Sequence, residues 1–230
     1  GVKITGDASS QTIDLSATTL DGIDTIDGGA GHDTIVGSDG DDTFEVSDGD
    51  GWDNFDGGDG NDTVVSTDGS DIQLDGHLTT SDSIENISSG GNDGVKITGD
   101  ASSQTIDLSA TTLDGIDTID GGDGHDTIVG SAGDDTIIGG TGNDNLYGGD
   151  GDDTFEVSDG DGWDNFDGGD GNDTVVSTDG ADIQLDGHLT TSDSIENISS
   201  GGNEGVKITG DASSQTIDLS ATTLDGIDTI

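Results

Sequence analysis

Apolar residues recur at a fixed spacing of nine in residues 121–156. They are Ile128, Ile137, Leu146 and Phe155, and each follows Thr or Asn. A single apolar side chain between polar neighbours is typical of a three-residue strand with one inward-facing position. The six residues between these strands are rich in Gly and Asp, which favour tight turns. The pattern therefore predicts an alternation of short strands and turns, without helices.

Two strand-and-turn units make one full coil of a solenoid, because each turn reverses the chain. The nine-residue period thus predicts a coil that is two nonapeptides long. The expected fold class is all-β, a right-handed parallel β-roll or β-helix.

Long internal repeats support this coil length. The segment at 1–26 returns unchanged at 94–119 and at 205–230, so the first repeat spans 1–93 and the second spans 94–204. The second repeat is longer because three nonapeptides at 130–156 stand where the first has one, at 37–45. The two added nonapeptides equal one predicted coil. An insertion of one coil leaves every later strand on its own wall, whereas a single added nonapeptide would move each strand to the opposite wall.

The four units in residues 121–156 are GGDGHDTIV, GSAGDDTII, GGTGNDNLY and GGDGDDTFE. They share Gly at position 4, Asp at position 6 and an apolar residue at position 8. This pattern resembles the calcium-binding nonapeptide of the RTX (repeats-in-toxin) family. The resemblance implies a calcium-stabilised β-roll in which each ion lies between two turns one coil apart. Glycines that permit positive φ can turn carbonyls inward, and calcium prefers carbonyl and carboxylate oxygens.

The repeats divide the chain into three segments. Residues 1–93 form repeat one, a strand segment with a calcium block at 19–65. Residues 94–204 form repeat two, whose calcium block at 112–176 contains the extra coil of two nonapeptides, and residues 205–230 begin repeat three. We expect the chain to be a segment of a longer protein, because it starts and stops inside a repeat.

The aspartates at position 6 are the predicted calcium ligands. Stacking one coil apart pairs them into roughly eight sites, each completed by backbone carbonyls. The turn before Asp24 lacks its leading glycines, so its ligand set is degraded. The alternative for all of these residues is an ordinary solvated turn aspartate. The predicted ligands are Asp24, Asp33, Asp42, Asp53, Asp62, Asp117, Asp126, Asp135, Asp144, Asp153, Asp164 and Asp173.

Composition adds a condition for folding. The chain has 52 acidic residues against three Lys and no Arg, a net charge of −49. Such charge with few apolar residues favours disorder unless divalent cations bind the carboxylates. The same charge argues against nucleic acid and against insertion into an anionic membrane. Because cysteine is absent, we expect metal rather than disulfides to stabilise the fold.

Residues 66–111 and 177–222 lack the glycine pattern but keep alternating apolar positions. Ile72 and Leu74, and Ile106 and Leu108, are each separated by one polar residue. This alternation indicates half-buried strands, so we favour a continuing β-helix over a flexible linker. Val46 and Ser47 are additions to the nonapeptide pattern that predict a widened turn or a bulge.

The resemblance implies secretion from a bacterium, with the protein at the cell surface. We expect a rigid stalk or filament segment of an extracellular adhesin or matrix protein, with neighbouring identical repeats as partners. Trp52 and Trp163, at position 5, either stack on a surface polysaccharide or cover a neighbouring loop, and we favour the second. The chain carries no catalytic motif, so we expect no enzymatic activity. The alternative is an accessory module of a secreted epimerase, protease or lipase.

Overall fold

The structure is a computed structural model that describes residues 2–21, 23, 25–213 and 215–230. It divides into two compact units. Residues 1–100 and 107–118 form the first unit, and residues 101–106 and 119–230 form the second. The regular secondary structure of the described residues consists of strands, and none of it is a helix that could cross a membrane.

The described residues form 25 short strands, most of them three or four residues long. In chain order the first thirteen are β1 (Lys3–Thr5), β2 (Thr12–Asp14), β3 (Thr25–Asp27), β4 (Thr34–Val36), β5 (Thr43–Val46), β6 (Asn54–Asp56), β7 (Thr63–Ser66), β8 (Ile72–Leu74), β9 (Asn86–Ser88), β10 (Lys96–Gly99), β11 (Thr105–Asp107), β12 (Thr112–Asp114) and β13 (Thr118–Asp120). The others are β14 (Asp123–Gly124), β15 (Thr127–Val129), β16 (Thr136–Ile138), β17 (Thr141–Gly142), β18 (Asn145–Asp150), β19 (Thr154–Val157), β20 (Asn165–Asp170), β21 (Thr174–Ser177), β22 (Ile183–Leu185), β23 (Asn197–Ser199), β24 (Ile208–Gly210) and β25 (Thr223–Asp225).

Parallel strands stack into walls in the first unit. One wall has the order β1-β3-β5-β7-β9-β12, and a second has the order β2-β4-β6. Strands β8 and β10 form a further parallel pair. Most neighbours in each long wall are alternate strands of the chain, which is the connectivity of a solenoid with two strands per coil. The predicted parallel β-solenoid is confirmed.

The second unit has the same architecture. One wall follows the order β13-β16-β19-β21-β23-β25, and the other follows β11-β15-β18-β20. Two further parallel pairs join β14 to β17 and β22 to β24. Every strand pair whose register is given for this unit is parallel.

Each coil is two nonapeptides long wherever one nonapeptide directly follows another. Thr136 pairs with Thr154 on the same wall, and the preceding aspartates are likewise bonded across a separation of 18 positions. Where Val46 and Ser47 are inserted, Thr43 pairs with Thr63 and the separation is 20 positions. The predicted coil length is therefore confirmed for directly adjacent nonapeptides. Beyond the nonapeptide block the coils lengthen further, since Thr63 pairs with Asn86.

Each strand contributes its central apolar side chain to a narrow interior. Phe44 and Phe155 are fully buried, and their rings lie 5.7 and 5.5 Å from those of Phe55 and Phe166 on the facing wall. These are normal distances for paired aromatic rings. A core one side chain deep can therefore fill a solenoid in spite of the low apolar content of the chain.

Strands that follow the nonapeptide block of the first unit stack onto its wall. Strand β9 pairs with β7 at the end of the nonapeptide block, and it pairs with β12 on its other side. Ile72 and Ile87 are fully buried. In the second unit, β23 likewise pairs with β21. The flexible-linker alternative is wrong for the stretches that these strands occupy.

Replacing a core aromatic residue should destabilise the calcium-saturated chain more than replacing an exposed one. Phe155→Ala should lower the free energy of unfolding by about 3–5 kcal/mol, because it opens a cavity in the single-layer core. Tyr147→Ala is the control, since Tyr147 is 40% exposed and its removal should cost well under ~1 kcal/mol. Urea titration followed by circular dichroism measures both, and equal losses would contradict the core assignment.

Candidate metal centres

The predicted ligand aspartates lie directly before strands, at the end of each turn. Among the described residues, ten of them are buried, with exposures from 0 to 8%. They are Asp33, Asp42, Asp53, Asp62, Asp126, Asp135, Asp144, Asp153, Asp164 and Asp173. Asp117 is exposed instead, and its amide donates to the carbonyl of Val95. Asp24 lies outside the described residues.

Buried aspartates stack in ladders along each turn face. The backbone N–H of one aspartate donates to Oδ1 of the aspartate in the next coil, at 2.7–3.0 Å. The stacked pairs are Asp33 with Asp53, Asp42 with Asp62, Asp126 with Asp144, Asp135 with Asp153, Asp144 with Asp164, and Asp153 with Asp173. One carboxylate oxygen of each acceptor is thus committed to holding two coils together.

The second oxygen, Oδ2, is buried without a hydrogen-bond partner in five of these aspartates. The five are Asp33, Asp62, Asp144, Asp153 and Asp173. All five end a turn that begins with Gly-Gly. Burying a charged oxygen without a donor or cation is strongly unfavourable. A calcium ion bound in the turn would satisfy it, so the donor set fits the metal that the motif implies.

Burial also raises the pKa of these carboxyl groups. It raises the pKa of Asp164 to about 8, and those of Asp53 and Asp153 to about 7. The pKa of Asp62 rises to about 6. Loss of hydration is the main cause in each case, and neighbouring carboxylates add to it. Without a cation, the folded turns therefore favour protonated aspartates.

Glycine is required at two places in each Gly-Gly turn by the backbone itself. Gly140 and Gly142, at positions 2 and 4 of one turn, have φ of 88° and 150°, which other residues rarely adopt. At position 1, a Cβ on Gly139 would lie 2.5 Å from Oδ2 of Asp144. The glycines thus leave room beside the unpartnered oxygen.

Side chains alone do not complete a metal site in the described part of the chain. No group of three His, Cys, Asp or Glu side chains converges there. Calcium takes six to eight oxygen ligands, so backbone carbonyls of the turns would supply most of them. Ligation by the predicted aspartates remains a prediction that the stacking and the unpartnered oxygens support.

Glutamate and glutamine end the ladders, and the nonapeptide motif does not identify them. Glu85 accepts the amide of Asp62 at 2.8 Å, and Glu196 accepts that of Asp173 at 2.9 Å. At the other end, the amide of Gln11 donates to Asp33. Each of these three residues directly precedes Asn-Ile or Thr-Ile, as the aspartates precede Thr or Asn and an apolar residue. That triplet is the sequence signal for these positions, whose turns lack the motif glycines at positions 2 and 4.

The tryptophans at position 5 do not stand free in solvent. Trp52 and Trp163 are both partly buried. His32 is exposed, with Nδ1 3.5 Å from a carboxylate oxygen of Asp75.

The raised carboxyl pKa values predict that acid partly replaces calcium. Each folded pKa, between about 6 and 8 where burial is strongest, lies above the ordinary 3.8. The metal-free folded state therefore binds protons more tightly than the unfolded state. The stability that protonation of these carboxyl groups gives to the metal-free folded state is complete below about pH 4. It is lost as the pH rises through about 6–8.

Circular dichroism in excess chelator measures this effect. We expect β signal at about pH 4.5 and its loss at about pH 7.5. The control is the same titration in saturating calcium, where the signal should persist at neutral pH. A metal-free signal that falls on acidification would contradict the burial of these carboxylates.

Comparison with known proteins places these turns in a family. The RTX calcium-binding nonapeptide repeat matches the chain at residues 18–52, 47–72, 111–146, 129–163 and 158–183. These matches together cover more than half of the 230 residues. Searches of curated proteins and of solved structures each found no match. The chain belongs to the RTX calcium-binding nonapeptide repeat family.

Proposed function

We propose that this chain is a calcium-folded structural segment of a bacterial extracellular protein, of the adhesin or matrix type. The observation that carries the proposal is the set of five buried Oδ2 atoms without hydrogen-bond partners, in a chain of net charge −49. RTX repeats bind calcium, and at neutral pH a chain of this charge should fold only when bound cations neutralise its carboxylates. Calcium outside the cell would then convert a disordered, secreted chain into a solenoid.

The stalk role is supported by repetition. The segment at 1–26 occurs three times without change, and within each unit the non-nonapeptide strands stack onto the nonapeptide walls. A solenoid of this kind lengthens by adding repeats, and each repeat contacts its neighbours. Neighbouring identical repeats are therefore the proposed partners, and surface polysaccharide is a further candidate.

An accessory module of a secreted enzyme is the alternative, because the same calcium-binding turns would serve it. Near-identical tandem repeats favour the structural role over the accessory one. The sequence of the parent gene separates the two. Many further repeats would support the stalk, and a single catalytic domain beside this segment would support the module.

Calcium should be required for folding at neutral pH. Removing it with a chelator should abolish the β signal in far-UV circular dichroism, and calcium at about 0.1–1 mM should restore it. Magnesium should not, because it holds its waters and demands octahedral geometry. A chain that stays fully folded in excess chelator would contradict the proposal.

A matched pair within one turn tests the ligand assignment. Asp153 is 1% exposed with an unpartnered Oδ2, whereas Asp150 in the same turn is exposed. We expect Asp153→Asn to lower the number of calcium ions bound in calorimetry, because an amide replaces a charged ligand. Asp150→Asn should leave the number unchanged. Equal losses in the two variants would contradict a role for Asp153 as a ligand.

Scattering tests the stalk. Small-angle X-ray scattering of chains with one, two and four repeats in calcium should give a constant cross-section, with length proportional to repeat number. Bending at regular intervals would remove the stiff-stalk function and leave the calcium binding intact.

A further inference from the structure

Two of the eight turns that begin with glycine have serine at position 2. The turns at 37–42 and 130–135 read GSDGDD and GSAGDD, whereas the other six begin with Gly-Gly. In the six Gly-Gly turns, positions 2 and 4 both have positive φ. These glycines are Gly29, Gly31, Gly58, Gly60, Gly122, Gly124, Gly140, Gly142, Gly149, Gly151, Gly169 and Gly171.

The serine turns have a different backbone. Neither Ser38 nor Ser131 has a positive φ, and neither do Gly40 and Gly133 at position 4. Serine avoids the left-handed region because its Cβ crowds the backbone there. The substitution at position 2 therefore accompanies a change in the backbone of the whole turn. The glycine at position 4 also lacks positive φ, although glycine could adopt it.

Serine also satisfies the aspartate that ends its own turn. The amide of Ser131 donates to Oδ2 of Asp135 at 2.6 Å, and its hydroxyl donates to the same oxygen at 3.0 Å. In the first unit, Ser38 makes the same two bonds to Oδ2 of Asp42, at 2.6 and 3.1 Å. All four residues are at most 8% exposed.

The serine hydroxyl oxygen also accepts a hydrogen bond from within the turn. Oγ of Ser131 accepts the amide of Gly133 at 3.2 Å. In two Gly-Gly turns the corresponding amide leaves the turn, since Gly142 donates to the carbonyl of Asp161 and Gly151 to that of Asp170. The serine turn is thus held by bonds within itself.

The two kinds of turn differ at Oδ2 of the aspartate that ends them. Five of the Gly-Gly turns end in an aspartate whose buried Oδ2 has no hydrogen-bond partner, and both serine turns end in one whose Oδ2 accepts two bonds. An oxygen that accepts two short hydrogen bonds has lost the lone pairs that a cation would use. The nonapeptide motif alone treats the two kinds as equivalent.

We propose that Ser38 and Ser131 close their turns to calcium, by occupying the carboxylate oxygen that the ion takes in Gly-Gly turns. Among the turns that begin with glycine, position 2 then determines which accept an ion, and each calcium block contains one serine turn that needs none. This inference rests on the proposed calcium-dependent function and assigns which sites carry it.

Glycine at position 2 should open the turn. Ser131→Gly permits positive φ, removes the hydroxyl and frees Oδ2 of Asp135. Isothermal calorimetry should show about one more calcium ion per chain than in the wild type. Ala132→Gly, in the same turn, is the control for added backbone freedom and should leave the number unchanged. Ser131→Ala should also leave it unchanged, because alanine retains the amide donor and avoids positive φ.

The reverse change keeps the test decisive if the opened turn fails to fold. Gly149→Ser, in the turn at 148–153, should close that turn and lose about one ion. Circular dichroism in calcium checks that each variant is folded. Unchanged ion numbers in folded Ser131→Gly or Gly149→Ser would overturn the serine inference while leaving calcium binding standing. A wild type that binds no calcium would overturn the proposed function and this inference together.

Discussion

The buried carboxylate with one unpartnered oxygen is the constraint on which this structure depends. Each position-6 aspartate of the Gly-Gly turns is buried. It directly precedes a strand, and the second residue of that strand places its side chain in the core. In Asp144, for example, Oδ1 ties one coil to the next, whereas Oδ2 has no hydrogen-bond partner. Such a group is tolerable only when it is protonated or bound to a cation. Neutralisation of these carboxylates is therefore coupled to folding.

Coil length follows from the same arrangement. Two nine-residue units bring an aspartate back under the aspartate of the previous coil, and the strands that follow them pair in register. Val46 and Ser47 are tolerated because they leave the number of strands in the coil unchanged. Val46 extends β5 and pairs with Ser66, so the expected widened turn is wrong for this residue. Beyond the nonapeptides, the separation between stacked positions grows to 23 and then 26, and the aspartate is replaced by glutamate or lost. The strands maintain register on the wall even where the turns no longer fit calcium.

Much of the fold could be predicted from the sequence, because the nine-residue period and the insertion of two whole nonapeptides constrain the strands independently. Burial of Ile128, Ile137 and Phe155 was predictable from their spacing alone. The candidate metal site was harder to predict from the sequence. Glu85 was missed because its turn lacks glycines, although its place before Asn-Ile matches that of the aspartates. The serine turns look like the motif in sequence, and only their φ angles and hydrogen bonds distinguish Asp135 from Asp153.

A crystal structure grown in calcium, with anomalous diffraction recorded for the metal, tests the central claim most directly. We predict anomalous peaks at about 2.3–2.6 Å from Oδ2 in the Gly-Gly turns, such as those of Asp144 and Asp153. Carbonyl oxygens of the same turns should complete the coordination. Peaks found only beside exposed carboxylates, with these buried oxygens bonded to water or to protein donors, would contradict a calcium-bound turn.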